Sequence, residues 1–335
     1  MKTLIVCLAV SASSIAYAET KKIVATTEYS QALVDDFNTA SPDVKVLRVE
    51  RTNLLNEIVD ADAIFGPVSA EMFRAAKKLK WVSTTGAGVD AYLYPEMLNS
   101  SVVLTSSKIT MGPEVSEHAL ALLLGLTRSL NEFIPAKGRQ EWRQAVNHRP
   151  VELSGKTAVI VGVGGIGTQI ALKAWACGMR VIGVDAKDIP ATPYISRIVS
   201  PQLLDEVLPE ADVLFISAPL TPQTKGMIGA KQFEELKTGA YFIAVSRGNI
   251  YDADALVKAL DSKRLAGAGL DVFSPEPLPK GHPLWNFENV IITPHVANVS
   301  DRSDARKALV HKENIRRFAR GDMNLINVID KQKGY

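Results

Sequence analysis

The chain has 335 residues, of which 47% are hydrophobic, and its formal net charge at pH 7 is +2. This length predicts two globular domains, and the near balance of 38 basic and 36 acidic residues, without a long charged run, argues against a nucleic-acid-binding protein. With two cysteines and no zinc-type spacing of cysteine and histidine, the sequence indicates neither a disulfide framework nor a metal site.

Residues 1–18 have the layout of a secretory signal peptide. Lys2 precedes an apolar run from Leu4 to Val10, and small residues end in the A-x-A pattern at 16–18. The apolar run is too short to span a bilayer, so we expect no stable membrane insertion. A first β-strand and an incorrectly assigned start codon are the alternatives. We expect an exported or periplasmic protein if the signal is used and a cytoplasmic protein otherwise.

From Lys21 onward, short β-branched runs alternate with helical segments, which predicts a parallel α/β architecture. A long apolar helix is predicted at about 114–130. The stretch 131–150 is polar, has two prolines and little periodicity, and is predicted to be an arm or connector. In this first series, strands are predicted at 21–27, 44–49, 62–66 and 81–85, and helices at 30–39 and 69–79.

A second α/β series begins at Gly155, and its continuous apolar runs are typical of parallel strands buried on both faces. A final helix is predicted at about 301–320. We therefore predict an α/β fold with two Rossmann-like or flavodoxin-like domains, in which a nucleotide-binding domain, 114–298, is inserted into a discontinuous substrate domain, 19–113 and 299–335. The predicted strands of the second series are 157–162, 180–185, 212–218, 241–246, 266–273 and 289–295, with a helix at 165–177.

A glycine-rich loop joins the first strand and helix of the second series. Gly162, Gly164 and Gly167 have the G-x-G-x-x-G spacing, which supplies a tight turn, close backbone approach to a pyrophosphate, and close helix–strand packing. Asp185 ends the next predicted strand, where a carboxylate accepts hydrogen bonds from ribose hydroxyls and repels a 2′-phosphate. No arginine stands beside it and Lys187 is the nearest cation, so NAD is favoured over NADP. A ligand-free turn is the alternative.

Three charged residues follow predicted strands of the second series. Arg247, Glu276 and His295 lie at the carboxyl ends of their strands, the edge at which open α/β sheets bind ligands. Histidine exchanges a proton near neutral pH, a carboxylate fixes the imidazole tautomer, and arginine grips a carboxylate with two hydrogen bonds. Each residue alone is as easily a solvated strand end. Together they suit hydride transfer between an alcohol carbon and a nicotinamide.

Several stretches of the sequence resemble the signature blocks of the D-isomer-specific 2-hydroxyacid dehydrogenase family. The resemblance covers nearly the whole chain after about residue 20. The stretch "MGPEVSEH" at 111–118 departs from the Asn-Ala pair that often stands there in the family, and Ser217 stands where the family often has histidine. The matching blocks are "TTGAGVD" at 84–90, "GVGGIG" at 162–167, "APLTPQT" at 218–224, "SRG" at 246–248, "LDVFSPEPL" at 270–278, "TPHVAN" at 293–298 and "NIRRFARGDMNLINVI" in the C-terminal part.

The resemblance implies roles for individual residues. His295 is implied as the general acid/base, Glu276 as its partner, and Arg247 as the anchor of the substrate carboxylate, helped by the backbone N–H groups of Ala87 and Gly88. Asp271 is implied to lie near the nicotinamide amide. The residues implied to bind the cofactor are Gly162, Gly164, Gly165, Ile166, Gly167, Asp185, Ala218, Val245, Ser246, Arg247, Asp271, His295 and Asn298.

The resemblance also implies an activity and an assembly. The activity is NAD(P)H-dependent reduction of a small 2-oxo acid to the D-2-hydroxy acid, or the reverse oxidation. Residues 114–150 are the implied homodimer region, in which Trp142 either reaches toward the partner's site or anchors the arm. Two alternatives remain open: an NAD-responsive, corepressor-like binding protein on the same fold, and a purely structural exported protein.

Overall fold

The computed structural model describes residues 19–147 and 149–335, so the predicted signal peptide at 1–18 lies outside the described residues. These residues form two sheets. The first has five parallel strands in the order β2-β1-β3-β4-β5, a flavodoxin-like order. Its strands are β1 (Lys21–Ala25), β2 (Val44–Arg48), β3 (Ala63–Phe65), β4 (Trp81–Ser83) and β5 (Val103–Thr105).

The second sheet has seven parallel strands in the order β12-β11-β10-β9-β6-β7-β8, which is the strand order of dinucleotide-binding domains. All five residues of β6 are buried, because helices cover both faces of this sheet. The strands are β6 (Thr157–Val161), β7 (Arg180–Val184), β8 (Arg197–Val199), β9 (Val213–Ile216), β10 (Ala240–Ala244), β11 (Leu265–Leu270) and β12 (Val290–Ile292).

Side-chain caps start several of the helices between these strands. Ser30 Oγ accepts a hydrogen bond from Leu33 N, and Asp252 Oδ1 accepts from Asp254 N and Ala255 N. Over the described stretches, no helix combines the length and apolarity needed to cross a membrane. The helices are α1 (Gln31–Asn38), α2 (Leu54–Glu57), α3 (Ala70–Ala75), α4 (Pro95–Leu98), α5 (Gly112–Thr127), α6 (Leu130–Gly138), α7 (Gly165–Ala176), α8 (Leu204–Val207), α9 (Ala230–Glu235), α10 (Ala253–Asp261) and α11 (Ser303–Ala319).

Helix α5 lies directly on the second sheet. A Cβ added at Gly269 of β11 would fall 2.7 Å from Leu122 Cβ, so the absence of a side chain there allows this close approach. A Cβ added at Gly112 would fall 2.8 Å from Gly165 O, at the start of α7. The beginning of α5 is therefore packed against the helix that follows the glycine loop.

The helix predicted at about 114–130 begins at Gly112 and ends three residues earlier than expected. Helix α5 ends at Thr127, because Ser129 has φ +58°, a left-handed conformation that interrupts the helix. A second helix, α6, then occupies part of the predicted arm. The remainder of the arm carries Trp142 with 92% of its surface exposed, so this side chain does not anchor the arm to its own chain.

The final helix returns the chain to the first sheet. Helix α11 packs against α1, and Val328 forms an antiparallel bridge with Thr105 of β5. The first sheet is therefore completed by two separate parts of the chain, and the predicted two-sheet α/β fold with an inserted nucleotide-binding unit is confirmed. The domain boundaries near 113 and 298 remain predictions.

His311 of α11 is buried in the core of the first sheet. Its Nδ1 donates to Lys307 O at 2.8 Å, which leaves Nε2 to accept from the hydroxyls of Tyr29 (3.3 Å) and Ser83 (3.2 Å). Its ring stacks on Phe37 with centroids 5.2 Å apart. These contacts suit the neutral imidazole, and burial lowers the pKa of His311 to about 4.

We expect His311 to make the protein less stable as the pH falls from 6.5 toward 4. The unfolded chain binds this proton at the ordinary pKa of 6.5, above the folded value of about 4, so protonation favours unfolding throughout that interval. At about 1.4 kcal/mol per pH unit, the free energy of unfolding loses about 2 kcal/mol between pH 7 and pH 5 from this group. Urea denaturation at the two pH values measures the loss.

The control is His311→Gln, which keeps hydrogen-bonding capacity and does not titrate. Its free energy of unfolding should fall by about 2 kcal/mol less than that of the unsubstituted protein over the same interval. Equal losses of the free energy of unfolding in the two proteins would contradict a lowered pKa for His311 in the folded state.

Candidate active site

The glycine loop follows β6 and opens α7. Gly162 has φ +90°, and a Cβ there would fall 2.4 Å from Ala218 N, while a Cβ at Gly167 would fall 1.8 Å from Gly162 O. Packing therefore requires both glycines. A Cβ at Gly164 would meet no atom of the described residues within 4 Å. This open space at the N-terminus of α7, whose N–H groups point outward, fits a dinucleotide pyrophosphate.

Asp185 lies beside this loop at the end of β7. Its Oδ2 accepts a hydrogen bond from Val163 N at 2.7 Å, and its Oδ1 accepts from Lys187 N at 2.8 Å. The carboxylate is therefore fixed at the place expected for the adenosine ribose of a dinucleotide. The donor set of the loop and this acid together fit a nicotinamide adenine dinucleotide.

Asp271 follows β11 and is fully buried. Its carboxylate accepts from Thr293 Oγ1 at 2.6 Å and from Val296 N and Ala297 N, both at 3.0 Å. Because the Thr293 hydroxyl donates to Asp271, it accepts from His118 Nε2, 2.8 Å away. Asp271 thus holds the loop 293–297 in place and links it to α5.

His295 lies in this loop with φ +54° and pairs with Glu276. The His295 Nδ1 to Glu276 Oε2 distance is 2.8 Å, and Glu276 Oε1 accepts from Phe273 N at 2.8 Å. The His295 side chain is 41% exposed, and its Nε2 forms no hydrogen bond within the described chain. The arrangement is an oriented imidazole that presents one nitrogen to solvent.

Arg247 follows β10 and crosses to the first sheet's loop 84–90. Its Nε donates to Asp90 Oδ1 at 3.1 Å, and its Nη1 donates to Ser246 O at 2.8 Å. A Cβ added at Gly88 would fall 1.7 Å from Arg247 Nη2, so the guanidinium lies against the backbone of Gly88. Arg247 therefore extends from the second sheet to the first, and its Nη2 lies next to the backbone of Gly88.

Arg247, Glu276 and His295 meet at one sheet edge. They follow β10, β11 and β12, which are adjacent and parallel, so their carboxyl ends lie side by side. Gly248, next to Arg247, packs on Phe273, where a Cβ would fall 2.0 Å from the carbonyl carbon, and Phe273 N donates to Glu276. His295 thus pairs directly with Glu276, and Arg247 is linked to this pair through the backbone contact of Gly248 with Phe273.

The other predicted residues lie around this cluster with different surroundings. Ala218 packs on Gly162, Val245 is buried, and the buried Ser246 hydroxyl lacks a hydrogen-bond partner among the residues described. Gly165 opens α7 with Ile166 beside it, and Asn298 follows the Asp271-bound loop. The buried, unpaired hydroxyl of Ser246 thus lies next to Arg247 in the chain, after β10.

A family model for the D-isomer specific 2-hydroxyacid dehydrogenase NAD binding domain matches residues 120–297, more than half of the chain. The chain belongs to the D-isomer-specific 2-hydroxyacid dehydrogenase family. It is therefore an oxidoreductase of this family with an NAD-binding domain, and the resemblance identified from its motifs is confirmed.

Relatives of this dehydrogenase include proteins with different substrates and cofactors in their names. A glyoxylate reductase of Korarchaeum cryptofilum is 32% identical over 286 residues, covering 82% of this chain and 85% of the relative. A glyoxylate/hydroxypyruvate reductase of Sinorhizobium meliloti, solved with NADP and sulfate, is 29% identical with a TM-score of 0.80, covering 94% of this chain and 100% of that one. A D-lactate dehydrogenase of Aquifex aeolicus, solved with NAD and lactic acid, is 25% identical with a TM-score of 0.78, covering 92% and 98%.

The departure at Ser217 has a structural explanation in this dehydrogenase. Its Oγ donates to Gly162 O at 2.7 Å, and also lies 3.2 Å from Val161 O. The hydroxyl thus ties the end of β9 to the first glycine of the loop.

Sequence reasoning did not assign roles to Asp90, Thr293 or to the contacts of His118. Asp90 stands in the quoted block 84–90, yet its partner Arg247 is 157 residues away, and no local pattern marks such a pair. His118 lies on α5, and its hydrogen bond to Thr293 connects that helix to the loop that carries His295. A strand-end threonine has no sequence signal that distinguishes it from an ordinary loop residue.

Two matched glycine substitutions test whether the open space at Gly164 holds a dinucleotide. Gly164→Ala should leave the thermal midpoint within about 2 °C, since nothing lies within 4 Å, and should weaken NADH binding about tenfold or more. Gly162→Ala should lower the thermal midpoint by several degrees, because its Cβ would overlap Ala218 N at a positive φ. NADH fluorescence titration and thermal denaturation measure the two effects. Unchanged NADH affinity in Gly164→Ala would contradict this placement.

Proposed function

We propose that this dehydrogenase uses NAD(H) to interconvert a small 2-oxo acid of the glyoxylate or hydroxypyruvate type and the corresponding D-2-hydroxy acid. The observation that carries the proposal is the 2.8 Å His295–Glu276 pair at the same sheet edge as the glycine loop. The names of the glyoxylate reductase and glyoxylate/hydroxypyruvate reductase relatives support the substrate class.

His295 is proposed to exchange the proton. Glu276 accepts the Nδ1–H, so the protonated imidazole directs its Nε2–H away from the protein toward the cleft. In reduction, Nε2 donates this proton to the carbonyl oxygen of the 2-oxo acid, and in oxidation it takes the proton back from the hydroxyl. A bound nicotinamide supplies or accepts the hydride in these two directions. Glu276 holds the ring in the orientation that this proton transfer requires.

Arg247 is proposed to bind the substrate carboxylate. Asp90 engages Nε and Ser246 O engages Nη1, so the guanidinium plane is fixed and Nη2 faces the 87–88 backbone. A carboxylate held between Nη2 and the N–H groups of Ala87 and Gly88 is gripped from both sheets. The same hydrogen bonds orient the substrate's adjacent 2-oxo carbonyl. Holding the reacting group in one orientation lowers the entropic cost of reaching the transition state.

We further propose that NAD is preferred to NADP. The Asp185 carboxylate is held beside the glycine loop by Val163 N and Lys187 N, where it accepts from ribose hydroxyls and repels a 2′-phosphate. Relatives solved with NADP and with NAD both exist, so the preference rests on Asp185. The homodimer is likewise proposed to use residues 114–150, which expose the apolar side chains of Leu130, Ile134 and Trp142.

Substitution of His295 tests the reaction. His295→Gln should lower kcat for NADH-dependent glyoxylate reduction by about 10²- to 10⁴-fold while the Kd for NADH changes little. Glu276→Gln should lower kcat less, because the imidazole remains and only its orientation is disturbed. The control is His282→Asn, which replaces a histidine whose Nδ1 accepts from Leu284 N outside the cluster. Normal NADH binding without turnover of glyoxylate, hydroxypyruvate or pyruvate in the unsubstituted protein would instead support the corepressor-like alternative.

A second pair of glycine substitutions tests Arg247. In Gly88→Ala, the new Cβ would fall 1.7 Å from Nη2, and because this atom ends a flexible side chain, the guanidinium moves and the fold is retained. We expect kcat/KM for glyoxylate to fall about 10²-fold with an unchanged thermal midpoint. Gly86→Ala, with nothing within 4 Å of its Cβ, is the control. Comparable activity in the two variants would argue against carboxylate binding by Arg247.

A further inference from the structure

The segment 328–335 follows α11 and packs against α4 and β5 of the first sheet's domain. Lys331 Nζ donates to three backbone carbonyls at the end of α4 and beyond it, those of Met97 (3.0 Å), Ser100 (2.6 Å) and Val102 (3.1 Å). Val328 pairs with β5. The segment therefore moves with the substrate side of the protein.

The same segment reaches the nucleotide-binding side at Gly334. This residue is buried, and a Cβ there would lie 3.2 Å from Leu93 Cδ1 and 3.6 Å from Thr221 Cγ2. Leu93 follows β4 of the first sheet, whereas Thr221 follows β9 of the second. Gly334 N donates to Asp330 O at 2.8 Å, which closes the turn that delivers Tyr335 to this boundary.

Tyr335 contacts Lys187 across the boundary. The Lys187 Nζ lies 4.2 Å from the centre of the Tyr335 ring, within the range of a cation–π interaction. The Lys187 ammonium forms no ion pair with any carboxylate in the described parts of the chain. The aromatic ring is therefore the partner that determines where this cation points.

Lys187 is also attached to Asp185. Its backbone N–H donates to Asp185 Oδ1 at 2.8 Å, so the base of the lysine is fixed at the carboxylate while its ammonium is directed to Tyr335. An ammonium on this flexible four-carbon stem would otherwise be free to approach Asp185 or a ribose phosphate. By drawing the ammonium to the domain boundary, Tyr335 leaves the Asp185 carboxylate without a neutralising cation.

We propose that Tyr335 is a cofactor-specificity residue that acts through Lys187. It withholds the Lys187 cation from the ribose 2′ position and so strengthens discrimination against a dinucleotide carrying a 2′-phosphate. The inference rests on the proposed preference for NAD. A 2′-phosphate needs a cation where NAD needs only the acceptor oxygens of Asp185, so releasing Lys187 favours NADP(H) selectively.

Fluorescence titration of NADH and NADPH with five variants, the Lys187→Met single variant included, tests the proposal. Tyr335→Ala should raise the ratio of NADPH to NADH affinity about 2- to 5-fold, the strength of an exposed cation–π contact. Tyr335→Phe keeps the ring and should leave the ratio unchanged. In the Lys187→Met background, which keeps the stem length without the charge, Tyr335→Ala should have no further effect on the ratio. Tyr335→Leu fills the space without an aromatic face and should match Tyr335→Ala, which separates the effect from loss of packing.

The proposal is overturned if Tyr335→Ala and Tyr335→Phe give the same ratio, or if the shift persists with Lys187→Met. Because the titration measures binding, it is decisive even if the protein reduces none of the 2-oxo acids. Failure of turnover with the expected affinity ratios would contradict the proposed reaction alone. Failure to bind either dinucleotide would overturn both proposals.

Discussion

The candidate site depends on the buried carboxylate of Asp271. A buried charge is costly unless it is fully hydrogen-bonded, and Asp271 meets this condition with the Thr293 hydroxyl and two backbone N–H groups. The same hydrogen bonds determine the path of the loop 293–297, including the left-handed backbone at His295. Asp271 therefore sets the backbone position of His295, and Glu276 then orients its imidazole.

The second requirement is that both sheets contribute to one cleft. Parallel strands bring their carboxyl ends to a common edge, which collects Arg247, Glu276 and His295 from distant parts of the chain. The first sheet supplies the backbone at Gly88 and the carboxylate of Asp90, which engages Arg247. Since the Arg247–Asp90 pair joins the two sheets, the relative position of the domains and the geometry of the anchor are coupled.

The sequence predicts the nucleotide-binding unit well because its requirements are local. A Cβ at Gly167 would meet Gly162 O of the same strand–turn–helix, Gly162 itself adopts φ +90°, and the buried strands are continuous apolar runs. The end of α5 was missed because Ser129, an ordinary residue in the sequence, adopts φ +58°. The Arg247–Asp90 and Tyr335–Lys187 contacts were also missed, since both depend on how the two domains meet, which no periodicity or spacing records.

The departures from the family pattern lie on the cofactor side of the cleft. Ser217 bonds to Gly162 O, and Gly112, in the departing stretch 111–118, packs on Gly165 O at the start of α7. Both contacts support the glycine loop from outside, and neither involves Arg247 or Gly88. Changes in loop support act on every dinucleotide alike, because the pyrophosphate is common to NAD and NADP. Discrimination between NAD and NADP must therefore come from the adenosine ribose end. There Asp185 supplies a carboxylate, and the Lys187 ammonium points toward Tyr335.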